Sequence, residues 1–174
     1  ERKRYMESAY LRHIPQEDIY LFNTGNAKKA WLCFGCRYIP ELKAHRFIVW
    51  APNAQRVSLV GSFNGWDRDA MPMEKIEGGV WVCFAEGIEN GALYKYCVTG
   101  ADGRQILKSD PFAAYSQTGS ETASIVWNGG DFRWGDGEYM QRRAKRDFMT
   151  QPMSIYELHL GSWKNMPGER PMYR

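Results

Sequence analysis

Arg56-Val-Ser-Leu-Val-Gly-Ser-Phe-Asn-Gly-Trp66 is a short apolar run that passes into a turn and ends on a tryptophan. Alternation puts Val57 and Leu59 on one face and Ser58 and Val60 on the other, so one face of a strand belongs to a core. Asn64-Gly65 then supplies the positive backbone angles of a tight connection. The same pattern recurs from His45 to Trp127. It predicts strands over Arg46 to Trp50, Arg56 to Gly61, Val80 to Glu86, Ala92 to Thr99, Gln105 to Leu107 and Ala123 to Trp127. Pro52-Asn53, Gly78-Gly79, Asn90-Gly91 and Asp102-Gly103 mark further turns. Short alternating strands separated by such turns imply an all-β antiparallel sandwich.

The flanks read differently. Residues 1–40 form a cap or edge segment, with a short helix around Gln16 to Phe22 that Pro15 can start and a strand-like stretch from Ala30 to Ile39. The sandwich occupies 41–130. Residues 131–151 are polar and form a connector with a helix-compatible run from Glu138 to Phe148. Residues 152–174 contain Met153-Ser-Ile-Tyr-Glu-Leu-His-Leu-Gly-Ser-Trp163, whose run Ile155 to Leu160 suits a strand buried on both faces of a parallel sheet. Only eleven residues follow Trp163. A parallel neighbour needs a crossover of roughly a dozen residues or more, so this strand is expected to open a domain that the chain does not complete. Left alone, the segment is expected to be disordered, to pack on the sandwich, or to pair with another copy.

Charge and composition narrow the function. Among 174 residues, 23 basic and 20 acidic side chains leave a net charge of +3. That balance argues against nucleic acid or an anionic membrane as the main partner. Arg142-Arg-Ala-Lys-Arg146 reads as a solvated helical face or linker. No stretch approaches the ~20 apolar residues of a membrane span, and the first residues lack the apolar core of a secretory signal, which points to a cytoplasmic protein. Cys33 and Cys36 form a lone Cys-x-x-Cys, while Cys83 and Cys97 sit in strand-like runs, so packed free thiols are expected and metal is not.

Trp66 is the residue with most chemical content. A flat indole at an exposed turn can cover the C–H face of a pyranose; alternatively it folds back as a lid on the core. Lys95 lies on a strand, opposite in direction to Tyr94 and Tyr96, where it can donate to sugar hydroxyls or simply remain solvated. Trp50, Trp81, Tyr94 and Tyr96 are expected in the core or between sheets. Glu157 and His159 share one strand face, more in keeping with a structural or cleft-lining role than with an acid/base pair. There is no Gly-x-Ser-x-Gly elbow, phosphate-binding loop or paired metal-ligand motif.

Asp18-Ile-Tyr-Leu-Phe22, Phe47-Ile-Val-Trp-Ala-Pro-Asn-Ala54, Val57 to Trp66, Tyr94-Lys-Tyr96 and Lys108-Ser-Asp-Pro-Phe112 together resemble the N-terminal region of bacterial 1,4-alpha-glucan (glycogen) branching enzymes. The resemblance implies a family 48 carbohydrate-binding module with an immunoglobulin-like β-sandwich. Asp131-Phe-Arg-Trp134, with Asp136 and Arg143, is similar to the family's bridge into its catalytic domain. Met153 to Trp163 then resembles the first strand of a glycoside hydrolase family 13 (β/α)8 barrel. Gly161-Ser-Trp163 looks like branching enzymes, with debranching and trehalose-releasing hydrolases, and a free-standing glycogen-binding module, as alternatives. The implied chemistry is a double displacement that cleaves an alpha-1,4 glucan and passes the chain to a sugar 6-hydroxyl.

The implied partners are alpha-glucans such as glycogen and amylose, and the remaining catalytic barrel of the same protein; no cofactor is implied. The catalytic carboxylates are expected in later barrel strands, none in this chain, which by itself is expected to be inactive. Trp66, Lys95 and Asn64 are the implied sugar-binding residues. The family's second platform tryptophan is replaced by Leu107 and its sugar-contacting asparagine by Thr122.

Overall fold

The computed structural model describes residues 10–129, 133–159 and Trp163. These fall into two compact units that divide after Gly130. The first is a sandwich with a helical cap.

The cap begins with helix α1 (Gln16–Asn23), which Pro15 precedes and whose first turn carries Glu17 and Asp18. Acidic side chains there complement the exposed N–H groups of a helix start. Strands β1 (Gly35–Ile39) and β2 (Ala44–Trp50) then form a hairpin. After β3 (Arg56–Gly61) the chain crosses back to β4 (Glu74–Ile76) and β5 (Val80–Glu86). It continues through β6 (Leu93–Thr99), β7 (Gln105–Lys108), β8 (Tyr115–Ser116) and β9 (Ser124–Ile125).

Sheet A has the order β1-β2-β5-β4 and sheet B the order β3-β6-β9-β8, with β7 also paired to β6. Every named pairing is antiparallel. The antiparallel sandwich expected from the alternation, immunoglobulin-like as the resemblance implied, is therefore present, and the strands expected between Arg46 and Trp127 fall in the expected stretches, whereas the strand-like stretch from Ala30 opens with a helical turn over Ala30–Leu32 and becomes a strand only at Gly35. β4 and β8 were not anticipated. They are short, largely exposed and mostly polar, so they carry little alternation to read.

Strand register explains which faces are buried. In sheet A, Phe47 pairs with Cys83 and Val49 with Trp81, and these face the space between the sheets. In sheet B, Val57, Leu59, Tyr94 and Tyr96 face the same core. Each buried aliphatic or aromatic side chain there contributes about 1.5–3 kcal/mol relative to exposure. The intervening residues of sheet A point the other way. Ile48, Val80 and Val82 pack with Ile19, Cys33 and Phe34 of the cap, which makes a second apolar layer.

Arg46 ties that layer down: its buried guanidinium donates to the carbonyls of His13 at 2.6 Å and Cys33 at 3.0 Å. Trp50 departs from its expected core position. It is the last residue of β2, lies at the margin of the cap, remains 48% exposed and donates from Nε1 to Gly78 O.

In the second unit, helix α2 spans Gly137–Ala144. Glu138 in its first turn and Arg142 and Arg143 in its last suit the helix dipole. It buries no side chain, and the expected continuation to Phe148 is absent because the basic run offers no apolar stripe to pack. Pro152 to His159 carry no strand, and Ile155, Tyr156 and Leu158 are exposed. The strand expected there has no partner strand among the described residues. Leu160 to Ser162 and the residues after Trp163 lie outside them.

Candidate functional site

β3 ends where Gly61 passes beneath Leu93, so closely that a Cβ at this position would run into the Leu93 carbonyl. The chain then turns around Asn64. Its Oδ1 accepts from Gly61 N at 2.9 Å, and its Nδ2 donates to Leu59 O at 3.0 Å. Asn64 therefore uses both ends of its amide to hold the loop.

Gly65 and Trp66 both adopt φ of 62°. Gly65 does so freely, whereas left-handed backbone costs a bulky residue about 1–2 kcal/mol. The strained turn is fixed by Trp66 N donating to Gly61 O at 3.0 Å. It presents the indole at the surface, 37% exposed.

Beyond Trp66 the loop lies across the outer side of sheet B. Arg68 reaches Gln105 on β7 at 3.2 Å, and Asp69 pairs with Arg56 at 2.7 Å. The chain then returns along β3 through Leu59 N to Met71 O and Met73 N to Val57 O. This layer explains why Ser58 and Val60, on the outward side of β3, are also buried.

Lys95 pairs with Val60 and points outward with it, while its neighbours Tyr94 and Tyr96 are fully buried. Its ammonium donates to Thr122 Oγ1 at 2.7 Å. Two of the three ammonium N–H groups, and the Thr122 hydroxyl proton, remain to meet a ligand. Leu107 pairs with Cys97 and shares this face. A partly buried cation and a hydroxyl thus sit together on the outward side of sheet B, and the Trp66 ring lies at the surface just beyond the end of β3.

Asp110 entered the sequence reading only as part of the Lys108 to Phe112 motif, yet it organises the interior beneath this face. Its buried carboxylate accepts from Tyr94 Oη at 2.6 Å, Tyr96 Oη at 3.1 Å and Phe112 N at 2.8 Å. Burial pushes its pKa up, and the three donors pull against that shift. Burial, followed by the nearby Asp110 charge, also raises both tyrosine pKa values. Ser109 donates to Thr122 O, and Asp110 N donates to Ser124 Oγ. The motif therefore anchors the segment that carries Thr122 into β9. Two same-facing strand tyrosines, each with a hydroxyl needing a partner, were the available signal.

The cysteines are free thiols. Burial pushes Cys33 and Cys83 up to about 11 and raises Cys36 further, which leaves them uncharged and poorly nucleophilic near neutrality. Among the described residues no cluster of His, Cys, Asp or Glu is arranged to hold a metal. No described helix is long and apolar enough to cross a membrane. Glu157 and His159 lie in an irregular segment of the second unit and not on the strand expected there. An apolar cleft of about 460 Å3 is a seam between α1, Leu11 and the Glu77-Gly78 turn, on the cap rather than on sheet B.

Residues 33–113 match the family model for carbohydrate-binding module 48, the isoamylase N-terminal domain. Over 90% of its length the chain is 44% identical to 1,4-alpha-glucan branching enzyme of Rubrobacter xylanophilus, covering 22% of that protein. Over 87% it is 40% identical to the branching enzyme of Nitratidesulfovibrio vulgaris, covering 24%. The chain thus spans about a quarter of the length of the curated relatives it matches. A solved structure of Bacillus subtilis type I pullulanase complexed with maltose aligns with 58% of the chain and 14% of its own, at 22% identity and a TM-score of 0.49. Residues 33–113 belong to the carbohydrate-binding module 48 family, in a chain whose sequence is similar, along most of its length, to part of the bacterial 1,4-alpha-glucan branching enzymes.

Proposed function

We propose that residues 10–129 are the alpha-glucan-binding and positioning module of a cytoplasmic 1,4-alpha-glucan branching enzyme. The observation that carries this reading is the exposed Trp66 indole, held in a strained turn that follows β3, the strand whose Val60 is the register partner of Lys95. A bulky residue held at positive φ with its ring reaching the surface suits a ligand platform. The indole takes the C–H face of a glucose ring, while the Lys95 ammonium and Thr122 hydroxyl meet hydroxyls at the rim. Asn64 shapes the loop rather than serving as the main sugar contact.

The alignments with branching enzymes cover more of the chain than the first unit holds, so they extend into the connector and beyond. That favours a module joined to a catalytic domain over a free-standing one. In the longer enzyme, carboxylates outside these residues would cleave the alpha-1,4 bond and transfer the chain to a 6-hydroxyl. The module's contribution is to hold long glucans near that site and reduce the entropy cost of positioning them.

Affinity electrophoresis in glycogen-containing gels tests the binding claim. The chain should be retarded, Trp66→Ala should migrate faster than wild type, and equal migration would overturn the role given to Trp66. The purified chain should show no branching of amylose; measurable branching would place catalytic groups within it.

A further inference from the structure

The register of sheet B carries the open face well past Lys95. Leu93 pairs with Ile125, and Ile125 pairs with Tyr115. Directly paired residues share a face, so Leu93, Lys95, Ile125 and Tyr115 all point outward. Trp127 continues the alternation after the fully buried Val126. Its ring lies 5.5 Å from that of Tyr115 at 55°, forming an open V. Trp127 is 49% and Tyr115 52% exposed. Two strand spacings and one two-residue step separate the Cα atoms of Lys95 and Tyr115 by roughly 12 Å, farther than one sugar ring reaches.

We propose that Tyr115 and Trp127 form a second aromatic platform for the same alpha-1,4-glucan chain. The outer face of sheet B is then a track for an extended oligosaccharide; this rests on the glucan-binding reading given above. The composition of the face selects the occupant. Between the aromatic groups lie the Lys95 ammonium, the Thr122 hydroxyl and Gln117, which bonds Ala123 through both its backbone N–H and its side-chain Oε1. Apolar planes separated by charged and hydroxyl groups match a ligand in which every ring has C–H faces and a polar rim. A stable protein interface would instead concentrate apolar groups at its centre and exclude the charge.

Calorimetric titration of the 174-residue chain with maltotriose and maltoheptaose, using Trp66→Ala, Tyr115→Ala and Trp127→Ala, separates this inference from the reading beneath it. All three side chains are exposed, and circular dichroism with thermal melting verifies folding; Tyr115→Ala serves if Trp127→Ala is compromised. Expected is a loss of roughly fivefold in maltoheptaose affinity for each of Tyr115→Ala and Trp127→Ala, with maltotriose binding at Trp66 nearly unchanged. If Trp66→Ala weakens both sugars while the other two variants bind maltoheptaose like wild type, the track is overturned and the Trp66 site stands. If none of the variants changes either affinity, both fail.

Discussion

The two sheets of the sandwich are built from similar strands, yet their outer faces have opposite fates. Ile48, Val80 and Val82 of sheet A are sealed beneath the cap by Ile19, Cys33 and Phe34. Sheet B has its β3 side covered by the Trp66 loop but leaves Lys95, Leu107, Tyr115 and Trp127 partly or largely open. The difference lies in what alternates with the core residues. Aliphatic residues on the second face of sheet A require a cover, whereas lysine and exposed aromatics on sheet B tolerate water while offering planes and donors to a ligand. One face is closed by the cap and the other stays partly open to solvent.

The largest expected effect falls on the sealed side. Phe34 is 1% exposed and packs between Phe22 at 4.3 Å and Phe112 at 5.3 Å between ring centroids. Phe34→Ala should cost about 3–5 kcal/mol in chemical denaturation. Its folded fraction should still bind glucan, because no part of the proposed track uses the cap. Loss of binding in folded protein would break the division between the faces.

Asp110→Ala comes next. It leaves two buried tyrosine hydroxyls without their acceptor and should cost about 2–3 kcal/mol. The pH dependence has a definite sign. Asp110 has a raised pKa in the fold, so the folded state holds its proton to higher pH than the unfolded chain does. Its contribution is therefore greatest below the ordinary carboxylate range and declines as pH rises through the folded pKa. Unfolding midpoints measured from about pH 3 to about pH 7 should show this component in wild type and lose it in Asp110→Asn.

On the open side, Lys95→Ala should change stability by less than about 0.5 kcal/mol, since the side chain is only partly buried. Glucan affinity should fall by about 1 kcal/mol, or roughly fivefold in calorimetric titration. Unchanged affinity would remove the ammonium from the site.

The smallest effect concerns His45. Burial lowers its pKa despite the bond to Asn128 Oδ1 at 2.9 Å. The unfolded chain binds the proton first, so stability should decline shallowly as pH falls below about 6.5 and level off below the folded pKa. A His45→Gln variant should lack that step in thermal melts.

The sandwich was legible because its strands alternate cleanly and their turns carry Asn-Gly, Asp-Gly or Gly-Gly pairs; Arg56–Gly61 and Val80–Glu86 coincide with the expected runs. Trp50 was misplaced because residue type reports hydrophobicity, while exposure at a strand end depends on how far the cap extends. The use of Asn64's amide within its own turn, and Asp110's acceptance from two tyrosines, arise from contacts outside strand periodicity. The Tyr115–Trp127 pair required register between β8 and β9, strands of two residues each. Ile155 to Leu160 reads as a strand by composition, but a strand also needs a neighbour to take its hydrogen bonds.

The central claim is that the open side of sheet B binds alpha-glucan through Trp66. Its most direct test is titration of the 174-residue chain with maltoheptaose before and after Trp66→Ala, with folding verified by thermal melting. Measurable wild-type binding and a loss of about tenfold in the variant, at unchanged melting temperature, is the predicted result. Wild-type protein that does not bind, or a variant that binds equally well, would contradict it.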